Sequence, residues 1–268
     1  IQHRAAFSPP TRRSDRKTGG YGSRLSSSGN PADAELRALF GEGGPLARGI
    51  SGYRARPQQL EMAESVAAAI RDCEVLVCEA GTGTGKTVAY LAPALLRGGK
   101  VIVSTGTKTL QDQLFHRDLP AVREAIGAPV TTALLKGRAN YVCHYHLRRN
   151  LSQGMLASRE EIAHLHSIAR FAKVSRTGDR GEATDVPENS GAWSLATSTR
   201  ENCLGQQCPD YDKCFVMAAR REALAAEVVV VNHHLFFADI MLKDEGMAEL
   251  LPACNTVILD EAHQLPRT

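Results

Sequence analysis

The 268-residue sequence predicts an α/β fold with a parallel sheet, interrupted by a mostly helical insertion. Three observations carry that prediction. Short apolar runs of β type recur at 74–80, 100–105, 130–135, 227–232 and 255–260, alternating with stretches of helical periodicity. Repeated β-then-α order demands parallel strands with helices on both faces. The first run passes directly into "AGTGTGKT" (80–87) and a helix, and from about Lys136 to Ala226 the alternation stops.

Each element has a local reason. In "DAELRALFG", Leu36, Leu39 and Phe40 share one helical stripe that Gly41 stops. "RPQQLEMAESVAAAI" predicts a helix with Pro57 in its first turn, burying Leu60, Ala63, Ala67 and Ile70. "EVLVCEA" (74–80) predicts a strand, and the helix after the glycines runs to Leu96. "KVIVST" predicts the next strand and "KTLQDQLFHRDL" the helix behind it. Within 136–226, "SREEIAHLHSIARFAK" is helical and 175–190 is polar and Gly-rich. The organisation expected is a tail (1–30), a first part of an α/β domain (31–135), an insertion (136–226) and the remainder of that domain (227–268).

Charge and cysteines bound the function. No run approaches the ~18 apolar residues of a membrane span, and no apolar stretch follows the basic N-terminus as in a secretory signal. A cytoplasmic chain with reduced thiols is expected, in which seven cysteines suggest metal or catalysis before disulfides. Residues 1–30 hold six Lys/Arg against Asp15 alone, so the positive net charge comes from this segment and not from the body. Its Ser, Gly, Pro and Arg content predicts disorder. With Ile1 at the start and no Met before Met62, it is not expected to be a natural beginning.

"AGTGTGKT" has the context of a phosphate-binding loop, a strand before it and a helix after it. Gly81, Gly83 and Gly85, with Thr82 and Thr84 between them, let successive N–H groups turn toward one anion, and the helix dipole adds to the same point. Lys86 would neutralise β- and γ-phosphate oxygens, and the Thr87 hydroxyl would ligate Mg²⁺. Ala80 stands where the usual pattern has Gly. "LDEAH" delivers Asp260 at a strand end for the metal and Glu261 for the attacking water, with His263 beside them. Upstream, the Gln59 amide could satisfy both donor and acceptor on an adenine edge, with Arg56 nearby; an exposed helical Gln is the plainer alternative. In "STGTKTLQDQL" (104–114), Thr105, Lys108 and Thr109 are candidate phosphodiester contacts, although hydroxyls at a helix start are usually caps.

"CLGQQCPDYDKC" places Cys203, Cys208 and Cys214 with four and five residues between them, and Cys143 lies upstream in "GRANYVCHYHL". Four thiolates could hold zinc or an iron–sulfur cluster, and spacing alone leaves both open. Cys73 and Cys78 flank the first apolar run and are expected in the core.

The order of Gln motif, phosphate loop, "STGTKTLQDQL", "KGRANYVC", "CLGQQCPDYDKC", "VVVVNHHLFFAD" and "DEAHQLP" resembles the bacterial DinG/YoaA helicases, relatives of the XPD helicase. The resemblance covers roughly Ile50 to Pro266 and implies a RecA-like P-loop motor domain of the second helicase superfamily. It implies ATP and Mg²⁺ as cofactors and a [4Fe–4S] cluster on Cys143, Cys203, Cys208 and Cys214, with Zn²⁺ as runner-up. It further implies ATP-driven 5′-to-3′ unwinding of forked or single-stranded DNA in repair and replication, by a monomer with no membrane partner. A second motor domain, absent from this chain, would supply an arginine finger, so the chain alone is expected to bind ATP weakly and not to unwind. Two alternatives stand beside this one: a nucleotide- and metal-binding regulatory module, and an unrelated P-loop ATPase with a zinc-bound insertion. Asn232 and His233 lie in a motif-like stretch to which no role is assigned.

Overall fold

The structure is a computed structural model that describes residues 31–81, 83–153, 158–244 and 250–267; the basic tail lies outside them. Helices α1 (Pro31–Phe40), α2 (Pro45–Gly49), α3 (Pro57–Asp72) and α4 (Lys86–Arg97) come first. Strand β1 (Val101–Thr105) leads into α5 (Lys108–Gln113), a π-helical turn (Leu114–Asp118) and α6 (Leu119–Ile126). After β2 (Thr132–Leu134), the insertion supplies α7 (His144–Gln153), α8 (Arg159–Val174), α9 (Ala192–Ala196) and α10 (Phe215–Ala225). Strand β3 (Val228–Asn232), α11 (His233–Asp244) and β4 (Thr256–Leu259) complete the set.

The four strands are parallel in the order β2-β3-β1-β4. β3 is four consecutive valines and an asparagine, β-branched side chains that fit a pleated surface buried on both faces. Alternate residues point opposite ways. Val101, Val103, Val228 and Val230 pack with Leu36, Ala63, Leu91 and Val122 from α1, α3, α4 and α6. Ile102, Ala133, Val229 and Val231 pack on the other face with Leu147, Leu165, Ile168, Trp193 and Val216, all from the insertion. The ninety-residue interruption is thus the covering layer of one sheet face, built into the same core.

One expected strand does not form. Residues 74–80 carry no strand, and Val75 and Val77 are 94% and 89% exposed. A β-strand needs a neighbour for its backbone N–H and C=O groups. β4, last in the sheet order, pairs with β1 alone, and Val257 on it is half-exposed. The apolar run therefore has strand composition but no hydrogen-bonded strand partner, although the outer side of β4 carries none among the described residues. Cys73 and Cys78 are correspondingly exposed, contrary to the core position expected for them. Cys73 caps α3 in a left-handed conformation, φ 55°, the helix-ending geometry usually left to glycine.

Candidate nucleotide site and cysteine cluster

The carboxyl edge of the sheet gathers the sequence-predicted residues from distant parts of the chain. α4 begins at Lys86, and the loop before it turns through Gly83 and Gly85 at φ 79° and 80°, a region glycine enters without steric cost. Thr84 Oγ1 donates to the Gly81 carbonyl at 2.8 Å, closing the turn; Thr82 lies outside the described residues. Lys86 Nζ reaches Glu261 Oε1 at 3.2 Å, so the loop and the acidic motif meet directly. The His263 ring, largely exposed, stands 3.3 Å from the other oxygen of Glu261. Glu261 itself sits at φ 55°, a strained conformation for a non-glycine residue of the kind that clusters at functional sites.

Asp260 is held at the end of β4, its N–H donating to the Ser104 carbonyl at 2.8 Å. Burial, then the charge of Glu261, pushes its carboxyl above the usual range, and Lys86 opposes the shift. Tyr90, buried one turn into α4, faces both Asp260 and Thr87, and burial followed by the Asp260 charge drives its phenol strongly upward. Its hydroxyl has no completed hydrogen bond. Sequence reasoning did not find Tyr90; its i+4 spacing from Lys86 on one helix face was the available signal.

Gln59 is 4% exposed, not a surface glutamine. Its Nε2 donates to the Gly85 carbonyl at 3.0 Å, and a Cβ at Gly85 would collide with it, so this residue braces the phosphate loop. Gln59 Oε1 is buried without a partner, an acceptor still to be satisfied. Arg56, exposed, caps α3 through its carbonyl.

The candidate nucleic-acid residues do not share one surface. Lys108 and Thr109 are exposed at the start of α5, where Thr107 Oγ1 caps by accepting from the Leu110 N–H. Thr105 is fully buried at the end of β1, and its hydroxyl cannot reach a phosphodiester from there. Gln264 packs tightly over Gly106, where a Cβ would strike it, so the acidic loop rests on this segment.

The four cysteines converge from the insertion's two ends. Cys143 N–H donates to the Ala196 carbonyl just before α7, and Cys214 caps α10. Cys203 Sγ accepts from Arg138 Nη1 at 2.8 Å and from the Gly205 N–H at 3.4 Å. Burial pushes the Cys143 thiol up, and charges on Cys208 and Cys214 push it further. Burial, then Arg138, lowers the Arg220 guanidinium, while Cys203 and Cys214 counteract this. Four thiols and two arginines therefore share one electrostatic neighbourhood, although among the described residues no group of three His, Cys, Asp or Glu stands closely enough for a metal ion.

Residues 56–173 match the DEAD/DEAH box helicase family. The chain is 50% identical over 232 residues to the ATP-dependent DNA helicase YoaA of Haemophilus influenzae, covering 87% of this chain and 36% of that protein. It is 48% identical over 227 residues to YoaA of Escherichia coli, covering 85% and 36%. It is 36% identical over 237 residues to the ATP-dependent helicase DinG of Mycobacterium tuberculosis, covering 81% and 35%. The chain thus spans about a third of the length of the curated relatives it matches.

Proposed function

From a chain that belongs to the DEAD/DEAH box helicase family, with YoaA and DinG proteins as relatives, we propose the ATP-handling part of a DinG/YoaA-type DNA helicase. Its full-length form would couple ATP hydrolysis to 5′-to-3′ movement on single-stranded or forked DNA in repair and replication. The observation that carries this reading is the 3.2 Å contact of Lys86 with Glu261, which brings phosphate loop and acidic motif into one site.

In the reaction, the loop N–H groups and Lys86 would take the β- and γ-phosphate oxygens, and Thr87 and Asp260 would hold Mg²⁺, which would draw charge from those oxygens. Glu261 exchanges its lysine partner for the attacking water. The water oxygen bonds to the γ-phosphorus, the bond to the β–γ bridging oxygen breaks, and the water's proton passes to Glu261. Gln59 keeps the loop in shape and offers its free Oε1 toward the adenine amino group, with Arg56 at the rim. A second motor domain, supplied by the remaining length, would add an arginine against the developing charge, worth on the order of 10³–10⁵ in rate. Lys108 and Thr109 would position the DNA backbone, and the protein would act as a cytoplasmic monomer.

Cys143, Cys203, Cys208 and Cys214 would hold a [4Fe–4S] cluster. The donor set suits it: Cys143 feels Cys208 and Cys214, and Arg138 and Arg220 stand beside Cys203, with Arg220 also near Cys214, so that guanidinium charge offsets that of ionised thiols. When bound, such a cluster would supply cross-links that hold residues 203–214 in shape.

The test is steady-state ATPase of the protein at its relatives' full length, with and without single-stranded DNA, beside Lys86→Ala. Strong DNA stimulation that Lys86→Ala abolishes is expected. A protein whose turnover ignores DNA would overturn the helicase reading in favour of a regulatory module.

A further inference from the structure

His233 opens α11 at the carboxyl end of β3 and is 1% exposed, with no part in the phosphate or metal chemistry above. Its Nδ1 is 2.7 Å from Ser104 Oγ. The Asp260 backbone lies against the ring, and either Ser104 Oγ or Nδ1 can be the donor in the contact between them. Nε2 nevertheless has no completed hydrogen bond, and neither has the fully buried Thr105 hydroxyl next along β1. Ser104 is held from a second direction, because its carbonyl accepts the Asp260 N–H at 2.8 Å.

The imidazole therefore stands between β1, whose next residues run into the exposed Lys108 and Thr109, and β4, whose last step presents Asp260. A buried ring nitrogen with no partner is costly, and a short shift of the Asp260 peptide toward it would remove that cost. We propose that His233 is the positioning residue that couples the two sites: it closes onto Asp260 when Mg-ATP is bound and, through Ser104, fixes the β1 end that carries the nucleic-acid contacts. It touches neither ligand. By reciprocity, DNA held at that end favours the Asp260 position needed for hydrolysis. This rests on the helicase reading above.

The experiment uses the full-length protein and compares parent, His233→Asn, which keeps a polar atom near the Nδ1 position but loses Nε2, and the small change Ser104→Ala. Basal ATPase, its stimulation by single-stranded DNA, and DNA affinity without nucleotide are measured for each. Expected are basal rate and DNA affinity within about twofold of the parent, and a stimulation factor reduced by about tenfold in both variants. Stimulation retained in either folded variant overturns the coupling role, and so does a loss of basal rate that matches the loss of stimulated rate, which marks a general structural defect. If His233→Asn does not fold, Ser104→Ala alone decides. A parent without DNA stimulation refutes the helicase reading itself, an outcome separable from the others.

Discussion

Lys86 Nζ and Glu261 Oε1 stand 3.2 Å apart, joining the first turn of α4 to the residue that follows β4. Each neutralises the other, and each is needed elsewhere once a triphosphate arrives. Replacing Glu261 by Gln frees the lysine while removing the proton acceptor. Nucleotide affinity is expected to hold or rise, and turnover to fall by about 10²–10⁴. Fluorescent-nucleotide titration and single-turnover hydrolysis on the full-length protein check the two halves; Lys86→Ala should lose both.

Asp260 gives a stability prediction of opposite sign to its functional one. Its folded-state pKa is raised, by burial and then by Glu261. A raised acid opposes folding wherever it is ionised, and that penalty disappears as pH falls through the folded value. Asp260→Asn is therefore expected to melt at a higher temperature than the parent at neutral pH, without Mg²⁺, while losing metal-dependent turnover. Thermal melts at pH 7 and at mildly acidic pH, where the difference should shrink, provide the check.

Lys136 is 5% exposed and pairs with Asp112 of α5 at 2.6 Å and with Asp179 of the insertion at 2.5 Å. Lys136→Met leaves Asp179 buried and unpaired, and a loss of about 3–5 kcal/mol in urea unfolding is expected. Burial lowers the Lys136 pKa, but the two carboxylates more than offset it, so its folded value is raised. The stability it contributes is fully present below an unfolded value of about 10.4 and is lost as pH rises through the folded one. The parent should thus weaken in strong alkali more steeply than Lys136→Met.

The cluster assignment predicts a metal balance. Cys143→Ser, Cys203→Ser, Cys208→Ser and Cys214→Ser should each lower iron and labile sulfide in protein purified without oxygen, and Cys78→Ser, at an exposed thiol, should not. Zinc in place of iron would restore the zinc alternative.

Val77, 89% exposed in a segment with no strand partner, should tolerate polarity in this chain. Val77→Ser is expected to change its stability by no more than about 0.5 kcal/mol. A larger loss by chemical denaturation would mean that the segment packs after all.

Much of this was legible in the residues themselves. Four of the five apolar runs are strands, and in β1 and β3 β-branched side chains alternate between two buried faces, a periodicity that is a local property. The Gly-dependent turn before α4 was equally readable, since Gly83 and Gly85 hold positive φ that other residues rarely adopt. The run at 74–80 shows the limit: its composition encodes a preference for a sheet, but a strand exists only where its backbone is paired, and composition cannot supply the partner.

The tertiary structure decided what the periodicities leave open. It turned Gln59 inward against Gly85, buried Thr105 beyond reach of a ligand, and set the insertion on the sheet as its second covering layer. It also placed His233 against Ser104 and Tyr90 beside Asp260, contacts between segments far apart in the chain. The sequence by itself determined which residues could bind phosphate and metal, because that chemistry belongs to side chains and short spacings. Which of them meet, and which face water, was decided by packing, because burial and long-range hydrogen bonds exist only once the strands have found their order.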